Sequence, residues 1–398
     1  MLSEQSTPVV RATLPVIGAA IGDITELFYR KLFDAQPELL RDLFNRGNQA
    51  NGHQQQALAG SIAAFAGILL ESPDSRPDAM LARIAHKHAS LGITSDQYKI
   101  IHRHLFGAIA DVLGDAVTPE VAAAWDEVYW LMANALIAIE ARLYQEAGAA
   151  EGDIWHSMEI TERRQETPDV VSLGLRRADG RPTEPFRPGQ YVSVQVELPD
   201  GARQIRQYSL SAAPGRPHWR ITVKRVRNDV NPDGEVSSWL HEHARPGDTL
   251  TVSAPFGDLV LPEGDGPLLL ASAGIGSTPM LAMLDHLASS GSARPVTVVH
   301  ADRSPADHAH RDEQRTLALA LPDARLHLWY EEPGDQAPDA STGRADLTAL
   351  ELHPALTAYL CGPLPFMRGV RDDLLRLGVP AGMIHYEVFG PDLWLGRQ

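Results

Sequence analysis

The chain has 398 residues, 44% of them hydrophobic and 22% charged. That is the mix of a folded globular protein, and it excludes a disordered, collagenous or coiled-coil chain. With 35 Lys and Arg against 51 Asp and Glu the formal charge is −16; it is spread along the whole chain, which argues against nucleic acid or an anionic membrane as the main partner.

No stretch approaches 18 uninterrupted apolar residues, so no membrane-spanning helix is expected. Residues 1–11 lack the basic-then-apolar order of a signal peptide. The single cysteine, Cys361, excludes an intrachain disulfide and a cysteine-based metal cluster. Together these features point to the cytoplasm. At roughly 100–200 residues per domain the length allows two to four domains, and the punctuation of the sequence selects three. Residues 1–147 carry few prolines and show helical periodicity, so an all-α unit is predicted. A small, polar run, Gly148-Ala-Ala-Glu-Gly-Asp153, reads as a linker. From 152 to 262 short alternating runs appear: Tyr191–Val196, Trp219–Lys224 and Thr249–Ser253. These predict an antiparallel sheet or barrel. From 266 to 398 apolar strands (Leu268–Ala271, Val296–Val299, Leu326–Trp329, Ala358–Cys361) alternate with helical stretches, the pattern of a parallel α/β sheet.

In the first unit the helix around Met80–His88 puts Leu81, Ile84, Ala85 and His88 on one face, with His86 on the opposite, solvated side. A core histidine satisfied by a backbone carbonyl is the ordinary explanation of His88. A neutral imidazole in an apolar pocket is also what a haem iron requires on its proximal side. Three further polar residues interrupt apolar stripes. Gln54 heads the face Leu58, Ile62, Phe65, Leu69; Glu140 breaks the face Trp125, Tyr129, Met132, Leu136, Leu143; Tyr29 lies beside Leu32 and Phe33. Buried carboxylates are rare unless paired. As a set these residues are chemically coherent. His88 would bind iron, Glu140 with Tyr98 would take the other imidazole proton, and Tyr29 with Gln54 would offer hydrogen bonds to a ligand on the far side.

The unit resembles a globin, specifically the haem domain of the flavohaemoglobins. The resemblance rests on Phe28-Tyr29, Leu43-Phe44-Asn45, Asn48-Gln-Ala-Asn-Gly-His-Gln54 and Ile84-Ala-His-Lys-His88. It implies haem b with His88 as the iron ligand and Tyr29 and Gln54 on the distal side. Leu58 would stand over the iron, Phe44 against the porphyrin, Lys87 in the haem pocket, and Tyr98 and Glu140 behind the proximal histidine.

In the second unit Arg206-Gln207-Tyr208-Ser209 offers a cation for a phosphate, a flat aromatic for a ring system and a hydroxyl for a ring nitrogen. Alternation puts neighbouring residues on opposite strand faces, so a bend is expected if Tyr208 and Ser209 are to share one ligand. Pro188-Gly-Gln-Tyr191 opens a strand upstream, and Gly234-Glu-Val-Ser-Ser-Trp-Leu240 reads as a turn into a helix whose amides could hold a pyrophosphate. The ordered set resembles the ferredoxin-reductase family. By that resemblance Tyr191, Arg206, Gln207, Tyr208, Ser209, Gly234, Val236 and Ser237 contact FAD.

The third unit opens on Leu268-Leu-Leu-Ala-Ser-Ala-Gly274-Ile-Gly276-Ser277-Thr278-Pro279-Met280, a strand, a glycine turn and a helix start. Such a turn lets backbone approach a phosphate, with the helix dipole favouring its charge. Pro279 replaces the third glycine of the usual dinucleotide fingerprint. The Gly-x-Gly-x-Thr-Pro form, with Tyr359-Leu-Cys361-Gly362-Pro363 and Tyr386-Glu387-Val388-Phe389-Gly390 further on, resembles the NAD(P)H lobe of ferredoxin reductases. Gly274 to Pro279, Arg303, Cys361, Gly362 and Pro363 are its implied nucleotide residues; Phe389 would cover the flavin, and Glu387 would lie between flavin and haem. Flavohaemoglobins commonly have cysteine where Val388 stands, a packing change by expectation. Cys361 has no paired base and reads as a packing residue. Arg303 suits the 2′-phosphate of NADPH and Asp302 the 2′-hydroxyl of NADH; the balance leans slightly to NADH.

The resemblance spans the chain in flavohaemoglobin order and implies a nitric oxide dioxygenase. NAD(P)H would give a hydride, FAD would divide it into single electrons, and haem would use them to turn NO and O₂ into nitrate. A monomer is implied, and a lipid is a candidate occupant of the distal pocket. A lipid or alkyl hydroperoxide reductase with the same cofactors and an oxygen-binding or sensing globin are the alternatives. The second is disfavoured by the electron route that Arg206–Ser209 and Gly274–Met280 would supply. A reductase feeding a separate oxygenase would lack the globin.

Overall fold

The structure is a computed structural model that describes residues 1–71, 77–227, 233–353 and 355–391. The chain divides into two compact units. The first is Met1–Ile154 with Glu197–Ile205 and the residues from Gly390; the second is Trp155–Val196 with Arg206–Phe389.

The helical part of the first unit runs α1 (Ser6–Ala35), α2 (Pro37–Asp42), α3 (Arg46–Ala50), α4 (His53–Glu71), α5 (Asp78–Leu91), α6 (Ser95–Leu113) and α7 (Pro119–Glu146). Local chemistry sets the boundaries. Asn45 caps α3 by accepting from the amides of Gly47 and Asn48. Thr94 and Gln97 form a reciprocal capping box at the start of α6, and Thr118 followed by Pro119 opens α7. Gly92, at φ +74°, ends α5 in the left-handed conformation that glycine adopts without strain. α1 packs on α4, α6 and α7, and α5 on α7, burying Val10, Ile17, Ile24, Phe28 and Leu32. By length and composition alone α1 could cross a membrane, which sequence reading did not anticipate. Its buried face is narrow and packs against α4, α6 and α7.

The second unit holds two sheets. The first is antiparallel, in the order β4-β3-β6-β1-β2-β5. Its strands are β1 (Trp155–Thr167), β2 (Val170–Arg177), β3 (Tyr191–Glu197), β4 (Arg203–Ser209), β5 (Trp219–Lys224) and β6 (Thr249–Ser253). A bridge from Leu210 to Ile221 and the hydrogen bond from Ser211 N to Arg220 O join the end of β4 to β5, closing the sheet into a barrel. The predicted strands are all present. The long hairpin β1–β2 was missed because charged residues occur along β1 at exposed positions (Glu162, Arg164) and at covered ones (Glu159, Glu166) alike, which hides its alternation. Helix α8 (Glu235–His243) follows β5, capped by Gly234.

The other sheet is parallel, in the order β10-β9-β8-β7-β11-β12. It contains β7 (Leu268–Ala273), β8 (Val296–Asp302), β9 (Ala324–Tyr330), β10 (Ser341–Thr342), β11 (Thr357–Cys361) and β12 (Ile384–Glu387). Helix α9 (Ser277–Ser289) follows β7, α10 (Arg311–Leu319) precedes β9, and α11 (Leu364–Arg376) follows β11. Leu268, Leu270, Met280, Met283, Leu284, Val298 and Tyr359 pack into its core. Chain order reverses between β7 and β11, and their carboxyl ends form the crevice where open α/β sheets bind ligands.

Candidate functional site

The proximal triad of the helical unit is assembled. His88, in the last turn of α5, has Nδ1 2.9 Å from Glu140 Oε1 and 2.9 Å from the Tyr98 hydroxyl. Tyr98 donates to the same Glu140 oxygen at 2.6 Å. Glu140 is 3% exposed, so this buried carboxylate is paired as its burial demands. The arrangement fixes the imidazole tautomer. Tyr98 spends its proton on Glu140, so both neighbours of Nδ1 can only accept; Nδ1 therefore carries the hydrogen, and the lone pair is on Nε2. The Tyr129 hydroxyl holds this end of α6 by donating to Tyr98 O at 2.6 Å. His86, expected in solvent, is half-buried.

Tyr29 is buried on α1. Desolvation pushes its hydroxyl above the usual phenol range against the opposing hydrogen bond with Gln54, so it is a proton-bearing phenol at neutral pH. Its ring stacks on Phe33 at 5.7 Å and meets Phe44 edge-on at 5.8 Å. Leu58 and Ile62, on the predicted inward face of α4, are half-buried, as are Phe33, Phe44 and Met132. Lys87 donates to the carbonyl of Gly390.

In the barrel, β4 carries Arg206, Gln207, Tyr208 and Ser209 in regular strand. Tyr208 is desolvated and its hydroxyl is held above the usual phenol range. The Ser209 hydroxyl is buried with no hydrogen-bond partner. Arg206 lies 3.9 Å from Glu235 at the start of α8, which brings the arginine to that helix N-terminus. Ser237 Oγ accepts from Val226 N at 3.1 Å and donates to Gly234 O at 3.0 Å; its hydroxyl serves the turn, and its amide is what the helix start has to offer. Val236 is fully buried, and Tyr191 pairs its backbone with Phe256.

In the parallel sheet the two glycines of the turn do different work. Gly274 has φ +53°, a conformation costly for other residues. A Cβ on Gly276 would stand 2.3 Å from Cys361 O and 2.7 Å from Gly362 N. The room expected for a phosphate at Gly276 is thus taken by the chain's own β11 end. Ser277 Oγ is buried without a partner, while Thr278 Oγ1 donates to Ile275 O at 3.1 Å. Pro279 is buried in the first turn of α9, and Pro363 caps α11. The Cys361 thiol is fully buried; burial and the charge of Glu387 push its pKa well up, so it is no thiolate nucleophile. Val388 is buried and Phe389 exposed. Asp302 is turned inward, accepting from Arg303 N at 2.9 Å and facing His300 Nε2 at 3.6 Å. Arg303 is exposed and paired with Asp307 at 3.0 Å. The C-terminal run beyond Pro391 lies outside the described residues.

The globin family model matches residues 26–136, and the oxidoreductase NAD-binding domain matches 270–372. A flavohemoprotein of Chromobacterium violaceum is 43% identical, covering 98% of both chains. One of Rhizobium meliloti is 40% identical over 99% of this chain and 100% of its own. The chain belongs to the flavohaemoglobin family. A crystal structure of the Malassezia yamatoensis flavohemoglobin with bound FAD and heme superposes with a TM-score of 0.89 at 38% identity, covering 98% of this chain and 100% of that one. The FAD/NAD-binding domain of a Vibrio cholerae nitric oxide dioxygenase, 37% identical, covers 59% of this chain and 99% of its own with a TM-score of 0.56.

The residues of this flavohaemoglobin fit the family's groups on their own chemistry. An Nε2 lone pair is set by the proximal triad, and buried hydroxyls without partners stand at Ser209 and Ser277. Sequence reasoning missed Lys224, at the end of β5, whose Nζ lies 3.9 Å from where a Cβ on Gly274 would stand. It places a cation beside the glycine turn from fifty residues upstream, and no local pattern could have signalled it.

Proposed function

We propose that this flavohaemoglobin is a cytoplasmic NAD(P)H-dependent nitric oxide dioxygenase, converting NO and O₂ to nitrate. When bound, the nicotinamide supplies a hydride, the FAD divides it into single electrons, and the haem takes them one at a time and activates O₂. His88 would hold the haem through Nε2, and Glu140 accepts the hydrogen bond from Nδ1–H, making the imidazole a stronger donor. Tyr29 keeps its phenolic proton and, with Gln54, offers it to a polar ligand on the distal side. Arg206, Tyr208, Ser209 and the amides at the start of α8 would hold the flavin. Ser277 and the turn from Gly274 to Pro279, with Arg303, would hold the nucleotide, and Glu387 and Phe389 belong to the flavin set by resemblance.

The observation that carries the reading is the buried, proton-bearing Tyr29 beside Gln54 in the same helical unit as the His88–Tyr98–Glu140 triad, in a chain that also has a flavin and nucleotide half. An oxygen carrier has no use for that half. The test is NO-dependent NADH oxidation with nitrate measured as product. Tyr29→Phe is expected to lower NO turnover at least about tenfold and to speed O₂ release, the loss of roughly one strong hydrogen bond. Unchanged O₂ release would remove Tyr29 from the mechanism. Faster turnover of an alkyl hydroperoxide than of NO would favour the reductase alternative.

A further inference from the structure

The helical unit takes in one segment from far along the chain, Glu197–Ile205. Within it Gln204, second residue of β4, is 0% exposed. A long amide is seldom buried so completely, and its contacts show why it is tolerated. Nε2 donates to Arg41 O at 2.9 Å and Phe44 O at 3.2 Å, with Leu40 O at 3.4 Å. Oε1 accepts from Arg46 N at 3.4 Å. One side chain thus grips both ends of the turn that joins α2 to α3. Two ion pairs flank it, Arg203 with Asp42 at 3.0 Å and Arg46 with Asp200 at 2.7 Å. Pairs with exposed partners contribute little, so the buried amide is the firmer hold.

Phe44 sits in the middle of that turn, edge-on to Tyr29 at 5.8 Å and to Phe33 at 5.4 Å. We propose that Gln204 is a positioning residue for the distal haem pocket: by holding the Leu40–Arg46 turn it sets the place of Phe44 against Tyr29. The inference rests on the haem reading above and goes beyond it. Gln204 also stands two residues before Arg206, one of the candidate flavin residues, in the sequence of β4.

The test uses the full chain and two variants. Gln204→Met keeps the length of the side chain and removes both polar ends. Gln204→Glu keeps an acceptor for Arg46 N but sets a carboxylate against three carbonyl oxygens. Amide hydrogen exchange across Leu39–Arg46 is read in cofactor-free and loaded protein, because Leu43 N and Phe44 N both donate to Leu39 O, at 3.0 and 2.8 Å. The second readout is the C–O stretching band of the CO complex of the reduced haem; the third is flavin content and flavin reduction by NADH. The expected result is at least about tenfold faster exchange in the turn with both variants, together with a shifted or broadened C–O band. Flavin content and flavin reduction stay at the wild-type level. Unchanged exchange and an unchanged band overturn the proposal. A lowered melting temperature with an unchanged band also overturns it, leaving Gln204 a purely structural residue. A wild-type chain that takes up no haem removes the pocket itself, and the positioning role with it.

Discussion

The proximal side of the proposed haem site and the glycine turn of the proposed nucleotide site are built in opposite ways. Around His88 the imidazole Nδ1, the Tyr98 hydroxyl and one Glu140 oxygen are spent on one another, with contacts of 2.6–2.9 Å. At the turn after β7 shape comes from backbone: a positive φ at Gly274, an intimate approach of Gly276 to β11, and a buried Ser277 hydroxyl that nothing in the described residues satisfies. The first site fixes its chemistry, a protonated Nδ1 and a free lone pair, through side chains. The second fixes a surface, and its unpaired hydroxyl carries a desolvation cost that a ligand would relieve. Mutations should therefore act differently in the two, tuning the first and breaking the second.

The largest effect is expected at Gly276. A methyl group there would meet Cys361 O at 2.3 Å and the Cys361 carbonyl carbon at 2.5 Å. These are backbone atoms that cannot swing aside, so overpacking of several kcal/mol is expected. Gly276→Ala should cut the rate of flavin reduction by NADH at least about 100-fold. Reduction of the haem by dithionite should be unaffected, since the helical unit is untouched. Anaerobic stopped-flow absorption reads both. Near-normal flavin reduction would mean that the crevice tolerates being pushed open, and the contrast between the sites would fall.

What the sequence disclosed follows the same division. Glu140 and His88 were visible because each interrupts an apolar helical stripe, and a periodic pattern exposes its own exceptions. The turn Gly274–Met280 was visible as a motif, but the reason for Gly276 was misplaced: its partner, Cys361, is 85 residues away in sequence and next to it only after β7 and β11 pair. Lys224 and Gln204 were invisible for the same cause. On a strand each is an ordinary polar residue, and only the tertiary structure brings Lys224 to the glycine turn or Gln204 to the Leu40–Arg46 turn. The β1–β2 hairpin was lost to its charged outer face. Apart from that hairpin the order and type of the elements were legible, and so was the meeting of His88, Tyr98 and Glu140; the distant contacts of Gly276, Lys224 and Gln204 were not.

The contrast belongs either to the two units or only to the two sites. Away from the glycine turn the second unit also contains a closed side-chain network. Glu313 on α10 accepts from Arg220 of β5 at 2.8 and 3.0 Å and lies 2.9 Å from His310 Nδ1. Burial acts to raise its pKa, but the hydrogen bonds with His310 and Arg220 outweigh it and hold the carboxyl at about 2. A depressed carboxyl stabilises the fold above its unfolded pKa, and that stability is lost as pH falls from about 4.5 towards 2. The loss is at most about 3 kcal/mol, since the carboxylate keeps some solvent contact. Denaturant unfolding between pH 5 and 2.5 should show this slope in the wild type and a flatter one in Glu313→Gln. An identical slope in both would deny the network its electrostatic role.

The smallest effect is expected at the proximal triad, where one charge is removed and little else changes. Glu140→Gln keeps size and an acceptor oxygen for the Nδ1 hydrogen of His88, so the haem should remain bound. What changes is the charge of the acceptor. Hydrogen bonds to charged groups exceed neutral ones by roughly 1 kcal/mol, and an imidazole relieved of its anionic partner is a weaker donor to the iron. The oxidised iron, which needs that donation more, loses relative stability, so the haem potential should rise by roughly 60 mV, the equivalent of a tenfold change for one electron. Spectroelectrochemical titration measures it, with the flavin potential as an internal control that should not move. A haem potential unchanged within error would mean that Tyr98 and Glu140 orient the ring without tuning it, and the proximal side would then be a matter of shape, like the glycine turn.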